Sequence, residues 1–204
     1  MKRIITISRE FGSGGRELGK RLADALEIPC YDHEIIDMIA EEHGFDRNYV
    51  ARVSEKDFRA IYSMTIAHRF TAPNYVVNGA VQIAATQRKI IEQLAERGDC
   101  VIVGRCADII LRDMTPMNLF VYADQQSKLA RCISRAPEDE ELSSAEMTRK
   151  MRQIDRERAA YRNLFTDIKW GQKEAYHLCV NTSGKEIKNL IPALVGYSSC
   201  WFGK

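Results

Sequence analysis

Apolar and polar positions divide the chain into two alternating kinds of segment. Five short apolar runs, rich in Ile, Val, Phe and Tyr, are nearly continuous, which is typical of parallel strands covered on both faces. The runs span residues 3–8, 28–31, 100–103, 117–122 and 177–180. Segments with helical periodicity lie between them, the longest with apolar positions from 76 to 94 and an end near Arg97. This succession predicts an α/β fold with a central parallel sheet of about five strands and right-handed crossovers.

Two stretches interrupt that rhythm. Residues 44–75 are polar with scattered aromatics and are predicted to form a helical insertion. Residues 125–135 are helical in pattern, and the break at Ala136-Pro137 is followed by an acidic run. A capping box of Ser143 and Glu146 then predicts a helix to about Phe165. We therefore expect a helical, arginine-rich lid over about residues 125–165.

The second helix of this predicted lid has two chemically different faces. Helical spacing places Met147, Met151, Ile154, Tyr161 and Phe165 together, and five arginines and an aspartate opposite. Those opposing residues are Arg149, Arg152, Asp155, Arg156, Arg158 and Arg162. Such a face is most often solvated, but guanidinium groups suit phosphate oxygens well.

Composition narrows the class of protein. The 204 residues are 45% hydrophobic and 28% charged, which predicts one globular domain over 1–204. A formal net charge of +2 gives no whole-chain field for nucleic acid or an anionic membrane, so we expect neither as a partner. The first apolar run stops at Arg9, too short for a signal-peptide core, and we expect a cytoplasmic protein without membrane spans.

Cysteine spacing and the C-terminus add two further expectations. The six cysteines include no CxxC pair and no zinc-like cluster, so we expect reduced thiols and no protein-bound structural metal. The apolar Cys200-Trp201-Phe202 segment needs a surface to dock on, and a second subunit is one candidate.

The segment after the first apolar run suits an anion. Gly12-Ser13-Gly14-Gly15 lies between the first predicted strand and a helical pattern that begins at Glu17. Glycines let backbone N–H groups turn inward, and the helix N-terminus adds free donors, which together cradle phosphates. A tight turn with no ligand is the alternative. The position at the carboxyl end of a central strand, where open α/β sheets bind ligands, favours a phosphate site.

This loop departs from the Walker pattern GxxxxGK[ST]. With Gly14 as the second glycine, the first glycine becomes Arg9, the lysine becomes Gly15 and the hydroxyl residue becomes Arg16. Arg16 is the candidate to supply the missing positive charge. An arginine cannot ligate Mg²⁺ as the Walker hydroxyl does. We therefore expect nucleotide oxygens and water to hold that ion, with one of Ser13, Glu10 or Glu17 as a further ligand.

Several motifs together resemble the cytidylate kinase-like family of P-loop proteins. They occur in order along essentially the whole chain, at residues 7–17, 31–32, 103–108, 154–161, 169–171 and 181–183. The resemblance implies a three-layer P-loop kinase fold, ATP with Mg²⁺ as phosphoryl donor, a nucleoside monophosphate acceptor and an arginine-bearing lid.

The resemblance also implies roles for particular residues. Its Gly-Arg motif makes Arg105 an acceptor-phosphate ligand, and its Asp-x-x-Arg motif assigns Asp155 to the acceptor base or sugar and Arg158 to phosphate. The family's arginine four residues before that aspartate is Met151 here, and Arg152 is the candidate replacement. Asp32 occupies the turn after the second strand that contacts the acceptor.

These assignments lead to one main functional hypothesis and two alternatives. The first is a kinase that transfers a phosphoryl group from ATP to a small acceptor, most simply CMP. Its nucleotide-binding residues are Gly12, Ser13, Gly14, Gly15, Arg16 and Glu17, and its catalytic cations are Arg16, Arg131, Arg135, Arg158 and Arg162. The second is a non-catalytic nucleotide-binding or sensor module, and the third, the least favoured, is a nucleic-acid-binding protein.

Overall fold

One parallel sheet forms the centre of the molecule. The computed structural model of the chain describes residues 2–52, 74–135 and 142–203. Within them the strands are β1 (Ile4–Arg9), β2 (Cys30–Tyr31), β3 (Cys100–Val103), β4 (Met117–Tyr122) and β5 (Leu178–Asn181). Their order is β2-β3-β1-β4-β5, with every neighbouring pair parallel. The predicted parallel α/β class is therefore confirmed.

Helices connect the strands. The α-helices in the described ranges are α1 (Gly15–Leu26), α2 (Glu34–His43), α3 (Arg47–Arg52), α4 (Asn74–Arg97), α5 (Ala107–Ile110), α6 (Gln125–Ile133), α7 (Ser144–Arg162) and α8 (Ile191–Phe202). Short 3₁₀ turns lie at Arg112–Met114, Lys173–Ala175 and Ile187–Leu190. The capping box predicted for α7 is present, with Ser143 and Glu146 bonded reciprocally.

Two apolar cores lie on opposite faces of the sheet. In β1, Ile4 belongs to the core that includes residues of α2 and α4, whereas Ile5 and Ile7 belong to the core that includes residues of α1 and α8. β3 divides in the same way, with Ile102 in the first core and Val101 in the second. Successive residues of a strand point to opposite faces, so both faces must be apolar. This three-layer arrangement explains why the strand sequences are continuous apolar runs.

Several predicted boundaries were wrong by a few residues. β1 begins at Ile4 and includes Arg9, and the amide of Arg3 just before it donates to the side chain of Asp99. β2 has only two residues, and β5 is shifted one residue towards the C-terminus. α7 ends at Arg162 rather than near Phe165, since the amides of the next residues form tight-turn hydrogen bonds.

Some predicted features lie partly outside the described residues. In the predicted insertion over 44–75, the described part contains α3 and the start of α4. The break predicted at Ala136-Pro137 lies outside the described residues. The C-terminal segment lies against its own chain: Phe202 packs on the second core, while the Trp201 ring contacts the rings of His177 and Tyr197 and stays 42% exposed.

Two further expectations concern membranes and cysteines. Across the described ranges, no helix has both the length and the apolar character that a membrane span requires. All six cysteines are free, and the described part of the chain has no group of three or more His, Cys, Asp or Glu side chains placed to hold a metal ion.

Candidate functional site

The glycine loop lies where this topology favours a ligand. β1 has β3 on one side and β4 on the other. The chain therefore places β2 and β3 on one side of β1, and β4 and β5 on the other side, which makes β1 the switch point of the sheet. Ligands of open parallel sheets bind outside the carboxyl ends of the strands at such a point. Residues 10–14 leave β1 at that end and lead directly into α1.

Two glycines give the loop its shape. Gly12 and Gly14 have φ of +76° and +81°, in the left-handed region that favours glycine. A Cβ on Gly12 would lie 2.9 Å from the Lys128 carbonyl oxygen, and one on Gly14 would lie 2.6 Å from Cδ1 of Ile187. The loop therefore needs these glycines both for its backbone angles and for its close approach to α6 and to the 3₁₀ turn before α8.

Ser13 organises the loop from within. Its side chain is fully buried, and both its N–H and its hydroxyl donate to the Glu10 carbonyl, at 3.3 and 2.8 Å. Its own carbonyl accepts a hydrogen bond of 2.7 Å from the hydroxyl of Thr182, just after β5. The hydroxyl of Ser13 is thus engaged within the loop, and its predicted contact with a nucleotide remains a prediction.

Arg131 on α6 fixes the same loop from outside. Its Nη1 donates to the carbonyl of Gly12 at 3.3 Å and to the hydroxyl of Thr182 at 3.2 Å, and its Nη2 donates to the carbonyl of Lys185 at 3.0 Å. Burial, helped by the nearby Arg135 charge, lowers the pKa of this guanidinium. The Arg131 side chain also lines a cavity over the loop. No contact in the structure tests its predicted catalytic role, which remains a prediction.

A cavity of about 340 Å³, here called the loop cavity, opens over the glycine loop. Its described lining includes the loop residues Gly12, Gly14 and Gly15, together with side chains from α6 and α7. Six cations line it, and Glu10 is the single carboxylate among the described lining residues. The cations are Arg9, Arg16, Arg131, Arg135, Lys150 and Arg158. This excess of positive charge at a helix N-terminus favours a polyanion.

Asp32 pairs with two of those arginines. Its carboxylate lies after β2 with Oδ2 2.5 Å from Nε of Arg16 and Oδ1 3.7 Å from Nη2 of Arg9. The Asp32 side chain is buried, whereas that of Arg16 is 60% exposed. The structure thus gives Asp32 a positioning role at the loop cavity, and its predicted contact with an acceptor remains a prediction.

Glu17 joins α1 to α6. Its carboxylate accepts from Nε of Arg21 at 2.7 Å and pairs with Arg135. Burial would raise the pKa of this carboxyl, but the hydrogen bonds from Arg21 and Arg135 outweigh it, and the pKa is lowered. Glu17 therefore stays ionised and holds Arg135 at the rim of the loop cavity.

A second cavity of about 40 Å³, here called the strand-end cavity, lies beside the first. It is lined by the ends of β1 and β3 and by α7, and it contains Arg105, Arg158 and Arg162. Arg105 is buried with a φ of +59°, an unusual angle for a residue with a side chain. Its position is consistent with the predicted role as an acceptor-phosphate ligand, which no contact in the structure tests.

Arg162 differs from the solvent-facing arginine that the helical pattern predicted. It forms an ion pair with Asp108, and both side chains are only 4% exposed. Burial would lower the pKa of the guanidinium, but the Asp108 carboxylate raises it. Arg162 also lies over the Tyr176 ring, with Cζ 5.3 Å from the centroid. The catalytic role predicted for Arg162 remains a prediction.

The predicted division of α7 into two faces was partly wrong. Met147, Met151 and Tyr161 are buried as expected, but Phe165 lies beyond the helix and is exposed. Asp155, Arg158 and Arg162 lie on the inner side with the apolar residues, because they follow one another at helical spacing and meet the loop and α5.

Asp155 and Arg158 both bind the glycine-loop segment. The Asp155 carboxylate accepts the Phe11 amide at 2.7 Å, and Arg158 donates to the carbonyl of Arg9 at 3.0 Å. Burial raises the pKa of Asp155, while the Phe11 amide and the Arg158 charge oppose that rise. The structure places Asp155 on the loop, so its predicted contact with a base or sugar stays a prediction.

The remaining arginines of α7 are solvated. Arg149, Arg152 and Arg156 are exposed, and Arg152 donates to the Gln125 side chain at 3.3 Å. Among the described residues, Arg152 is not in the lining of the loop cavity or the strand-end cavity. Its predicted substrate contact has no support from this position.

Sequence reasoning missed three cations of the site. The sequence assigns no role to Arg9, which occupies the first glycine position of the Walker pattern, yet Arg9 lines both cavities. Lys150 lines the loop cavity, and Lys128 lies beneath the loop with Nζ 2.8 Å from Oε2 of Glu10. Only Arg9 carried a sequence signal, since it occupies a position that the Walker pattern reserves for glycine.

The residues proposed to hold Mg²⁺ already have protein partners. The hydroxyl of Ser13 donates to the Glu10 carbonyl, the carboxylate of Glu10 pairs with Lys128, and that of Glu17 pairs with two arginines. The loop and its cations fit the phosphates of ATP, whereas these oxygens form no cage for a cation. A magnesium ion would therefore depend mainly on phosphate oxygens and water.

Known proteins resemble this chain over most of its length. The profile of the cytidylate kinase-like family matches residues 4–184. A cytidylate kinase of Haloarcula marismortui is 27% identical over 184 residues, covering 88% of this chain and 81% of that protein.

Solved structures agree on the fold. An uncharacterised protein from Eubacterium ventriosum superposes with a TM-score of 0.70 at 26% identity, covering 97% of this chain and 99% of its own. Shikimate kinase from Bacteroides thetaiotaomicron gives a TM-score of 0.57 at 15% identity, with full coverage of both chains. The three-layer architecture is therefore the P-loop kinase fold, and the chain belongs to the cytidylate kinase-like family.

Proposed function

We propose that the protein is an ATP-dependent kinase whose acceptor is a nucleoside monophosphate, CMP in the first place. The observation that carries this proposal is the loop cavity, where six cations surround a glycine loop at the switch point of the sheet. The family match and the name of the Haloarcula relative support the kinase class and the choice of CMP.

The neighbouring spaces suit the parts of two substrates. A cavity of about 530 Å³ shares Arg131 and Arg135 with the loop cavity and extends between α6 and residues 184–188, with room for the nucleoside of ATP. The strand-end cavity is lined by Arg105, Arg158 and Arg162, a set of forked donors that suits the phosphate of an acceptor. The loop cavity shares lining residues with both of these spaces.

Phosphoryl transfer requires the protein to position the two substrates and to neutralise the charge of the phosphates. The loop amides and the α1 N-terminus would hold the donor phosphates, with Arg16 and Arg135 at the rim. Arg158 reaches from α7 to the end of β1, between the donor and acceptor spaces. Magnesium bound to the ATP phosphates would supply further positive charge.

The acceptor assay tests this proposal. Purified protein is incubated with ATP and Mg²⁺ and, separately, CMP, dCMP, UMP, AMP or shikimate, and the phosphorylated product is detected by chromatography. We expect CDP from CMP above all other products. No phosphorylated product from any acceptor, together with tight ATP binding, would contradict it.

Arg16→Ala is the matched variant for that assay. Because Arg16 is mostly exposed, its loss should leave the fold intact. We expect turnover to fall at least as much as ATP affinity, by about a hundredfold, if the guanidinium contacts the transferring group. Unchanged turnover would remove Arg16 from the proposed machinery.

The second candidate function is a nucleotide-binding module without transfer. It is favoured by Gly15 and Arg16, which occupy the positions of the Walker lysine and hydroxyl. Tight ATP binding without product in the acceptor assay is the result that this alternative predicts.

A further inference from the structure

Two cations connect the donor and acceptor sides of the site. Among the described residues that line the loop cavity, Arg9 and Arg158 are the ones that also line the strand-end cavity. A phosphoryl group that passes from ATP to an acceptor must cross the boundary between these spaces. Of the two residues, Arg9 has no role assigned by the resemblance or by the proposed function.

Arg9 occupies a position built around its side chain. It is the last residue of β1, in register with Val121 of β4, and its side chain is 9% exposed. A Cβ on Gly104, which follows β3, would lie 1.9 Å from Nη1 of Arg9. The guanidinium therefore extends from β1 across the end of β3, and it fits there only because residue 104 is glycine.

A second glycine makes room for the stem of the same side chain. A Cβ on Gly15 would lie 2.4 Å from Cβ and 3.0 Å from Cγ of Arg9. In the Walker pattern the position of Arg9 is a glycine and that of Gly15 is the lysine. This chain has the reverse arrangement, and the two positions are in contact. Because residue 15 is glycine, the space beside it is open to Cβ and Cγ of Arg9.

We infer that Arg9 supplies the cation that the Walker pattern places at residue 15, and that it contacts the phosphoryl group being transferred. This inference rests on the proposed function. A guanidinium at the boundary of the two cavities can hold two phosphate oxygens with its forked donors, whereas a lysine provides a point charge.

Arg9 shares a carboxylate with a neighbouring arginine. The Asp32 carboxylate is 3.7 Å from Nη2 of Arg9 but 2.5 Å from Nε of Arg16, so one carboxylate serves two guanidinium groups. Arg158 lies nearby as well, with Nη1 on the carbonyl of Arg9. The described lining of the loop cavity holds six cations and one carboxylate, and such an excess of positive charge is what a transferring phosphoryl group requires.

The test compares Arg9→Met and Arg9→Lys with Arg3→Met as the matched control. Arg3 precedes the other end of β1 and pairs with Asp99, away from both cavities. Calorimetry measures the affinities for ATP and ADP, and the acceptor assay measures kcat. We expect Arg9→Met to lower ATP affinity about tenfold more than ADP affinity and to lower kcat a hundred- to thousandfold. Arg9→Lys should recover part of both losses, and Arg3→Met should change neither.

Failure of the inference and failure of the proposed function are distinguishable. If the unmodified protein phosphorylates no acceptor, the ratio of ATP affinity to ADP affinity still tests the role of Arg9. A ratio that falls in Arg9→Met supports a contact between Arg9 and the γ-phosphate. An unchanged ratio overturns the inference. If transfer occurs and Arg9→Met leaves kcat unchanged, the inference is wrong while the kinase proposal stands.

A second variant covers the case in which Arg9→Met does not fold. Gly15→Ala lies at a helical position and keeps the charge of Arg9, but it puts a methyl group 2.4 Å from Cβ of Arg9 and so displaces that side chain. We expect it to reproduce the selective loss of ATP affinity, and to lower ATP and ADP affinity equally if Arg9 has only a structural role.

Discussion

At the scale of single residues, arginine serves two different purposes in this protein. Arg9, Arg16 and Arg158 border the cavities, where their donors can meet a ligand. Arg131 and Arg162 also line the cavities, but Arg131 donates to backbone carbonyls and Arg162 is ion-paired with the buried Asp108. An arginine count from the sequence cannot separate these roles, because each depends on what the fold places opposite the guanidinium.

The Arg162–Asp108 pair gives a stability prediction. Arg162→Met should lower the free energy of unfolding by about 3–5 kcal/mol, because it leaves the Asp108 carboxylate buried without its partner. The double variant Arg162→Met with Asp108→Leu should recover most of that loss. Urea denaturation of the three proteins measures both effects, and a single variant within about 1 kcal/mol of the unmodified protein would show that the pair is not buried as described.

At the scale of elements, close packing of α1 on the sheet sets the position of the phosphate loop. Gly19 faces β1 and β3, where an added Cβ would lie 2.8 Å from Cγ2 of Val103 and 3.1 Å from Cδ1 of Ile7. Both neighbours are in the core and essentially inaccessible to solvent. The glycine therefore lets α1, and the loop at its N-terminus, approach the strand ends.

Gly19→Ala tests this packing. Alanine favours a helix by about 1 kcal/mol over glycine, but overpacking of a core costs about 1–3 kcal/mol, so we expect no gain and a net loss of up to about 2 kcal/mol in unfolding free energy. Gly196→Ala in α8 is the matched control, since no atom lies within 4 Å of its added Cβ. It should gain up to about 1 kcal/mol by the same urea measurement. A gain in both variants would mean that α1 is not closely packed.

At the scale of the whole molecule, the sequence predicts the layers better than the site. The apolar runs 100–103 and 117–122 coincide with β3 and β4. A strand covered on both faces is apolar at every position, so a continuous apolar run predicts such a strand. Arg9 could not be placed this way. Its role depends on Gly15 and Gly104, and only the fold brings residue 104 beside residue 9.

The same limit applies to α7. Its periodicity and capping box predict the helix itself, but the inner position of Asp155 and Arg158 depends on the glycine loop, which lies about 145 residues earlier in the chain. A helix that packs against a polar loop buries charged residues beside its apolar ones, and a hydrophobic pattern assigns those charged residues to the solvent.

The central claim is that the glycine loop and its guanidinium groups form a polyphosphate site, and calorimetric titration with ATP and with adenosine tests it most directly. ATP should bind at least about a hundredfold more tightly than adenosine, equivalent to about 2.7 kcal/mol from the phosphates. That advantage should shrink as salt rises from low to physiological concentration. Equal affinities for ATP and adenosine at low salt would contradict the account.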